Sequence, residues 1–379
     1  MAGWMDQVTR GWLIYELTSS AVQLGLVHGI QAIPILLVSP VAGSVADRYS
    51  RKQLVAVAQA LAGLVYTALA FLIVTDDIRP WHVYAAAFAM AIVQAVHQPA
   101  RAAMVADAVP SHHLTNAIGL NSIAFNVARS IGPALAGVLI ATLGTASCYG
   151  VQAGGYGMAV VATLWLRSIP GPTSGVAHSM SFGQSIVEGW TFSWRNEAVR
   201  TGLLITGCAS LFIMPFTTLL PVFARDLLSV GASGQGVLLT AMGIGAMTSG
   251  VLIASFGDRL PRGLIMLGGV TIYGIGVVAF AGSSSFRLSL WLMVIVGLAH
   301  VTSWALVQTV IQAYSPSALR GRTMAVFHMS EVVVTMGSVL AGALATLIGA
   351  RWAAAAMGAA GALLTVTIGV TAPYARRIR

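Results

Sequence analysis

The sequence predicts an all-α membrane protein, with twelve transmembrane helices in two pseudo-symmetric six-helix halves. Composition is the first reason. Of 379 residues, 57% are hydrophobic and only 8% charged, whereas soluble domains carry about 25% charged residues. Mean hydropathy is +0.83. The second reason is spacing, because charge-free runs recur at lengths near the ~20 residues that cross the hydrocarbon. The third is the placement of the basic residues. Fourteen of the twenty Lys and Arg fall in one alternating set of gaps, four in the other (Arg79, Arg225, Arg287, Arg351), and Arg10 and Arg129 lie inside spans. Such asymmetry puts the rich side in the cytoplasm, with both termini there and the protein in the plasma (inner) membrane.

The first half is expected over 1–167. Its spans are read near 1–17, 21–46, 53–75, 81–106, 114–143 and 148–167. Asp6 interrupts the first run too early for a cleavable signal peptide. Seventeen residues also reach only ~25 Å, so part of this helix is expected upstream. Between the second and third spans lies a charged island, Gly43 to Lys52. Residues 168–200 read as a cytoplasmic linker. Ser168 to Gly175 lacks apolar periodicity, and Phe182, Ile186, Trp190 and Trp194 then recur every four residues. That repeat predicts a short amphipathic helix, lying either on the membrane surface or on the protein's own base. The second half, 201–379, carries spans near 201–224, 234–257, 263–282, 288–314, 322–349 and 352–373.

The halves repeat. Ser255 to Arg262 echoes Ser44 to Arg51 at an offset of 211, and Gly132–Gly144 aligns with Gly337–Gly349 at 205, with six identities in thirteen. Spans 2 and 8, and 5 and 11, are therefore equivalent.

Several function classes fall away. A charge of +9 suggests nucleic acid, but nineteen of the twenty basic residues are Arg, dealt out singly or in twos and threes between apolar runs. No phosphate footprint results. Cys148 and Cys208 sit in apolar segments, giving neither a disulfide framework nor a metal site. Lys52 is the one lysine and follows no glycine loop, so ATP hydrolysis of the Walker type is excluded; no hydrolase or metalloprotease motif occurs either. No cofactor is expected. A channel would need a continuous polar pore, and the polar residues are scattered.

The island Gly43-x3-Asp47-Arg48-x2-Arg51-Lys52 resembles the loop between helices 2 and 3 of major facilitator superfamily transporters, with Ser50 where that family usually has Gly. Asp258, Arg259 and Arg262 repeat it in the second half. Asn121 to Pro133, with Pro99-Ala-Arg101 and Arg320-Gly-Arg322, is similar to the drug:proton antiporter type, in the branch that includes siderophore and macrolide exporters. The resemblance departs in span 4, where no Arg stands midway, and in Gly3-Trp4-Met5, which resembles the middle of a first helix. It implies the major facilitator fold and proton-coupled export of amphipathic small molecules, with a narrow siderophore-type substrate as the alternative. It also implies a packing motif at Gly132, Pro133 and Gly137, and a conformational lock in the loop. Within that lock Arg51 is expected to pair with Asp107. The partners expected are lipid, substrate and protons, with the chain acting as a monomer.

Ionisable groups inside spans are the pathway candidates, since each costs ~2.5–3.5 kcal/mol at mid-helix. His328, Glu331, Thr335, Ser338 and Gly342 follow helical spacing in span 11, and Asn126, Ser130, Pro133 and Gly137 match that stripe in span 5, with Arg129 one turn beyond Asn126. Asp6 and Arg10 are i, i+4 neighbours and neutralise one another. Glu331 is expected to carry the proton; the plain alternative is a satisfied acid. His97, His300, Phe212, Phe216 and Trp304 either pack or line a pocket.

Overall fold

The computed structural model describes residues 1–38, 49–107, 109, 113–166, 182–256, 261–316 and 319–372. Gly43, Asp47, Arg48, Asp258, Arg259, the side chain of Asp107 and linker residues 168–181 lie outside them, and with them the expected Arg51–Asp107 pair. The described residues are helical, with no strand among them. Among the described residues, nine stretches are long and apolar enough to cross a membrane, Ile123–Trp165 counting as one. The chain divides into two compact units, residues 1–178 with 231–236, and residues 179–230 with 237–379.

In the first unit, α1 (Ala2–Thr18), α2 (Ala21–Gly29), α3 (Arg51–Val74), α4 (Pro80–Asp107) and α5 (Leu114–Trp165) follow in order. α1 and α3 both pack along α5. The core is aromatic, with Tyr66 and Tyr149 fully buried. Outward-facing positions are apolar instead, such as Leu64, Phe71, Met158 and Trp165. Buried polar and exposed apolar side chains are the arrangement that lipid favours. Threonines fit where the hydroxyl bonds its own helix, as Thr67 does to Gly63 O and Thr142 to Val138 O.

The second unit holds α6 (Phe182–Arg195), α7 (Glu197–Cys208), α8 (Gly231–Phe256) from Val237 on, α9 (Arg262–Gly282), α10 (Phe286–Tyr314), α11 (Arg320–His328), α12 (Ser330–Ile348) and α13 (Ala350–Thr371). α9 packs along α10 and α13. α8 and α10 cross at Gly245 and Gly297, where a Cβ on Gly245 would collide with Val294 O and one on Gly297 with Met242 O. Only glycine permits this approach.

The aligned glycines of the repeat share a conformation. Gly144 (φ 81) bends α5 where two spans were expected, and Gly349 (φ 84) separates α12 from α13. Both are left-handed positions that favour glycine.

Three expected continuous spans are broken. After α7 the chain passes through a π-turn at Ala209–Ile213, a 3₁₀ stretch at Met214–Leu219, three α-helical residues at Leu220–Val222 and a second π-turn at Phe223–Leu227. Pro215 and Pro221 remove the donors that would continue an α ladder. Span 11 is split at Met329, whose N–H is shared between Ala325 O and Val326 O. Span 2 breaks after Gly29.

Candidate functional site

The first unit buries a polar cluster around α1. Asp6 is 7% exposed, and Arg10 lies 3.4 Å from its carboxylate. The expected i, i+4 pair is therefore formed inside the unit, where each charge stabilises the other. Beside it, Thr9 Oγ1 donates to Met5 O and meets Cys148 Sγ at 2.9 Å, while Gln152 Nε2 donates to Thr9 at 3.1 Å. Tyr66 stacks on Tyr149 at 5.8 Å and contacts Tyr156 at 5.7 Å. All three rings lie within the field of Asp6. The hydroxyls of Tyr66 and Tyr149 and Oε1 of Gln152 are buried without a hydrogen-bond partner. Such groups leave capacity that a polar guest can take up.

The cluster was only half legible. Asp6 and Arg10 stood out as charges; Tyr66, Tyr149, Tyr156 and Gln152 did not. The signal was present in Cys148, Gln152 and Tyr156, which recur every four residues along one face of an otherwise apolar run.

The α5 candidates do other work. Arg129 lies over the Trp4 ring at 5.5 Å, and Trp4 meets Phe125 edge-on. A Cβ on Gly132 would stand 2.9 Å from Trp4 Cβ, so this glycine admits the aromatic residue of α1. Ser130, Pro133 and Gly137 are buried, and Asn126 is half-buried. Arg101 bonds Asn121 at 2.6 Å, tying α4 to α5. His97 is half-buried in α4, with Nε2 unpartnered.

Of the loop motif, Arg51, Lys52 and Arg262 are each half-buried at the start of α3 or α9. Lys52 donates to Leu164 O and Leu166 O at 2.8 and 2.6 Å. It thus caps the C-terminus of α5 with a cation, where the helix dipole is negative. Lys52→Met should lower stability by about 1 kcal/mol. A thermal-unfolding scan of the detergent-solubilised chain measures the difference.

The second unit separates the expected stripe into two parts. His328 and Glu331 are exposed on either side of the Met329 break, and Thr335 is half-buried. Ser338 and Gly342 are buried, and Ser338 accepts from Thr218 at 3.0 Å. The exposed residues of the stripe flank the break, and the buried ones lie beyond it in α12. A small cavity lies against the π-turn at 209–213. Thr206, Ser210, Tyr273, His300, Ser303 and Trp304 line it, and it holds about one water-sized volume. It is too small for a drug-sized ligand. His300 lies 5.2 Å from Tyr273 and 6.1 Å from Trp304, and the ring series continues through Phe327 to His328. Phe216 packs edge-on against Tyr273, and neither it nor Phe212 lines the cavity. Both cysteines are free, and no group of metal-ligating residues occurs among the described residues.

Comparison with known proteins agrees with this architecture. The family model described as transmembrane secretion effector matches residues 1–376. The chain is 26% identical over 377 residues to the multidrug efflux pump Tap of Mycolicibacterium fortuitum, covering 97% of this chain and 90% of that one. It is 25% identical over 350 residues to the staphyloferrin A transporter of Staphylococcus aureus, covering 90% and 85%. Macrolide efflux protein A of Streptococcus pyogenes is 24% identical over 269 residues, covering 69% and 65%. Among solved structures, the nucleoside transporter NupG superposes with a TM-score of 0.75 at 13% identity, covering 97% and 96%. That match speaks for the fold alone.

Proposed function

The chain belongs to the transmembrane secretion effector family of major facilitator transporters, and from that premise we propose that it exports amphipathic small molecules in exchange for protons. It is a transporter, not an enzyme. The observation that carries the export reading is the match to a multidrug efflux pump over 97% of the chain. Twelve spans follow if α1 and α4 each cross the membrane and Gly144 divides α5. The two units alternate access by rocking about a central path. The loop from Gly43 to Lys52 acts as a conformational lock at the cytoplasmic face.

Coupling requires an acid that takes a proton from one side and yields it to the other. Glu331 suits that task, being exposed at the start of α12 beside His328. Asp6 is held by Arg10. A narrow siderophore-type substrate is the second reading, favoured by the staphyloferrin A transporter at similar identity.

Flux into inside-out proteoliposomes under an imposed pH gradient tests the proposal. Uptake of several unrelated amphipathic drugs supports the first reading, and uptake of siderophores alone supports the second. No gradient-dependent uptake of either class would overturn both. The topology is checked separately, in a Cys148→Ser/Cys208→Ser background. Cysteines at Ser174 and Ser284 should label from opposite sides of the membrane, and labelling of both from outside would overturn the span assignment.

A further inference from the structure

The amphipathic helix α6 leaves large apolar side chains exposed on one side. Where its side chains are described, its inward face holds Gly189 and Ser193, both buried. A Cβ on Gly189 would stand 2.9 Å from Arg322 O, and Ser193 turns its hydroxyl back to Gly189 O. Glu188 forms an ion pair with Arg322 at the start of α11. The outward face holds three large apolar groups: Val187 is 64% exposed, Trp190 50% and Trp194 48%. Residues 187, 190 and 194 follow i, i+3, i+7 and share one side of the helix. The two indoles stack at 5.7 Å, almost parallel. Leaving these three in water forgoes the burial that normally drives helix docking. An apolar medium outside the protein is the condition under which this packing is favourable.

We infer that the Val187–Trp190–Trp194 face of α6 is a lipid-binding surface, inserted in the interfacial layer of the bilayer and favouring anionic headgroups. Continuity with the membrane supports lipid as the occupant. α6 ends at Arg195, α7 begins at Glu197, and the stretch Glu197–Leu227 is long and apolar enough to cross. With Asn196 alone between them, α6 stays at the depth where α7 enters. The side-chain chemistry agrees, because tryptophan is the residue that settles at the headgroup level. The charges agree as well, since Arg195 and Arg200 stand at the end of α6 and in the first turns of α7, where anionic headgroups attract them. Through Glu188 and Gly189 the same helix grips Arg322, so the lipid-bound helix also anchors the start of α11. The leaflet is the cytoplasmic one, a point that rests on the topology proposed above; lipid contact does not depend on it.

The test uses the full chain in the Cys148→Ser/Cys208→Ser background, with Val187→Cys carrying an environment-sensitive fluorophore. The protein is placed in vesicles of phosphatidylcholine alone or enriched in phosphatidylglycerol. The inference expects blue-shifted emission, several-fold quenching by acyl-chain spin-labelled lipid, and stronger quenching with phosphatidylglycerol. A fluorophore at Ser284→Cys, in an exposed loop, should show no such dependence on phosphatidylglycerol. Adding Trp190→Ser and Trp194→Ser should shift the Val187→Cys emission back towards water without changing the chain's thermal unfolding. A Val187→Cys probe that stays water-like in both vesicles overturns the inference. So does a shielded probe that lipid labels do not quench and that follows protein density, which would assign the face to a second copy. A loss of drug flux with lipid quenching intact would count against the transport proposal and leave this one standing.

Discussion

Glu331→Gln is expected to abolish transport driven by a pH gradient while leaving substrate binding and counterflow exchange intact. The substitution keeps the shape of the side chain and removes its proton. A group that only packs or binds would change affinity or folding; a group that couples would change the response to the gradient. Asp6→Asn should behave in the opposite way. Asp6 and Arg10 are buried together, and removing one charge strands the other at a cost of about 3–5 kcal/mol. Poor membrane yield is the expected result, with partial rescue by the double substitution Asp6→Asn/Arg10→Gln. Purified yield, counterflow and gradient-driven flux, measured together on these variants, check the assignment. Normal uphill transport by Glu331→Gln with uncoupled but well-folded Asp6→Asn would move the proton to α1.

Gly297→Val should be the most damaging apolar substitution in the second unit. The backbones of α8 and α10 touch at Gly245 and Gly297, so a new Cβ meets Met242 O, which belongs to a helix backbone and cannot swing aside. Overpacking of this kind costs about 3 kcal/mol or more. The chain should express poorly and unfold at a markedly lower temperature. A valine at Gly282, where a Cβ meets nothing within 4 Å, should be tolerated far better. Fluorescence size-exclusion profiles of the two variants measure the contrast.

The spans were legible because lipid leaves a strong compositional imprint: long charge-free runs and Arg-rich gaps need no tertiary contact to be read. The repeat was legible too, and its aligned glycines Gly144 and Gly349 share a left-handed φ. The breaks were harder. Pro215 and Pro221 announced that the stretch after α7 would leave the α ladder, but hydropathy alone made it look continuous. The split at Met329 has no proline or glycine to mark it, and it separates His328 from the rest of the stripe. The cluster around Asp6 depends on which residues of α3 and α5 meet α1, and periodicity within one span cannot supply that. Sequence also suggested an amphipathic α6. Only packing revealed that it meets the start of α11 at Gly189.

Proton countertransport is the central claim, and proton movement itself is its most direct measurement. Vesicles containing the protein and a pH-sensitive dye are prepared without a gradient, and an exported drug is then added on one side. The account predicts that downhill drug flow drives protons the opposite way, shifting lumenal pH, and that Glu331→Gln carries drug downhill with no shift. Drug flow through the unaltered chain with lumenal pH unchanged would contradict it.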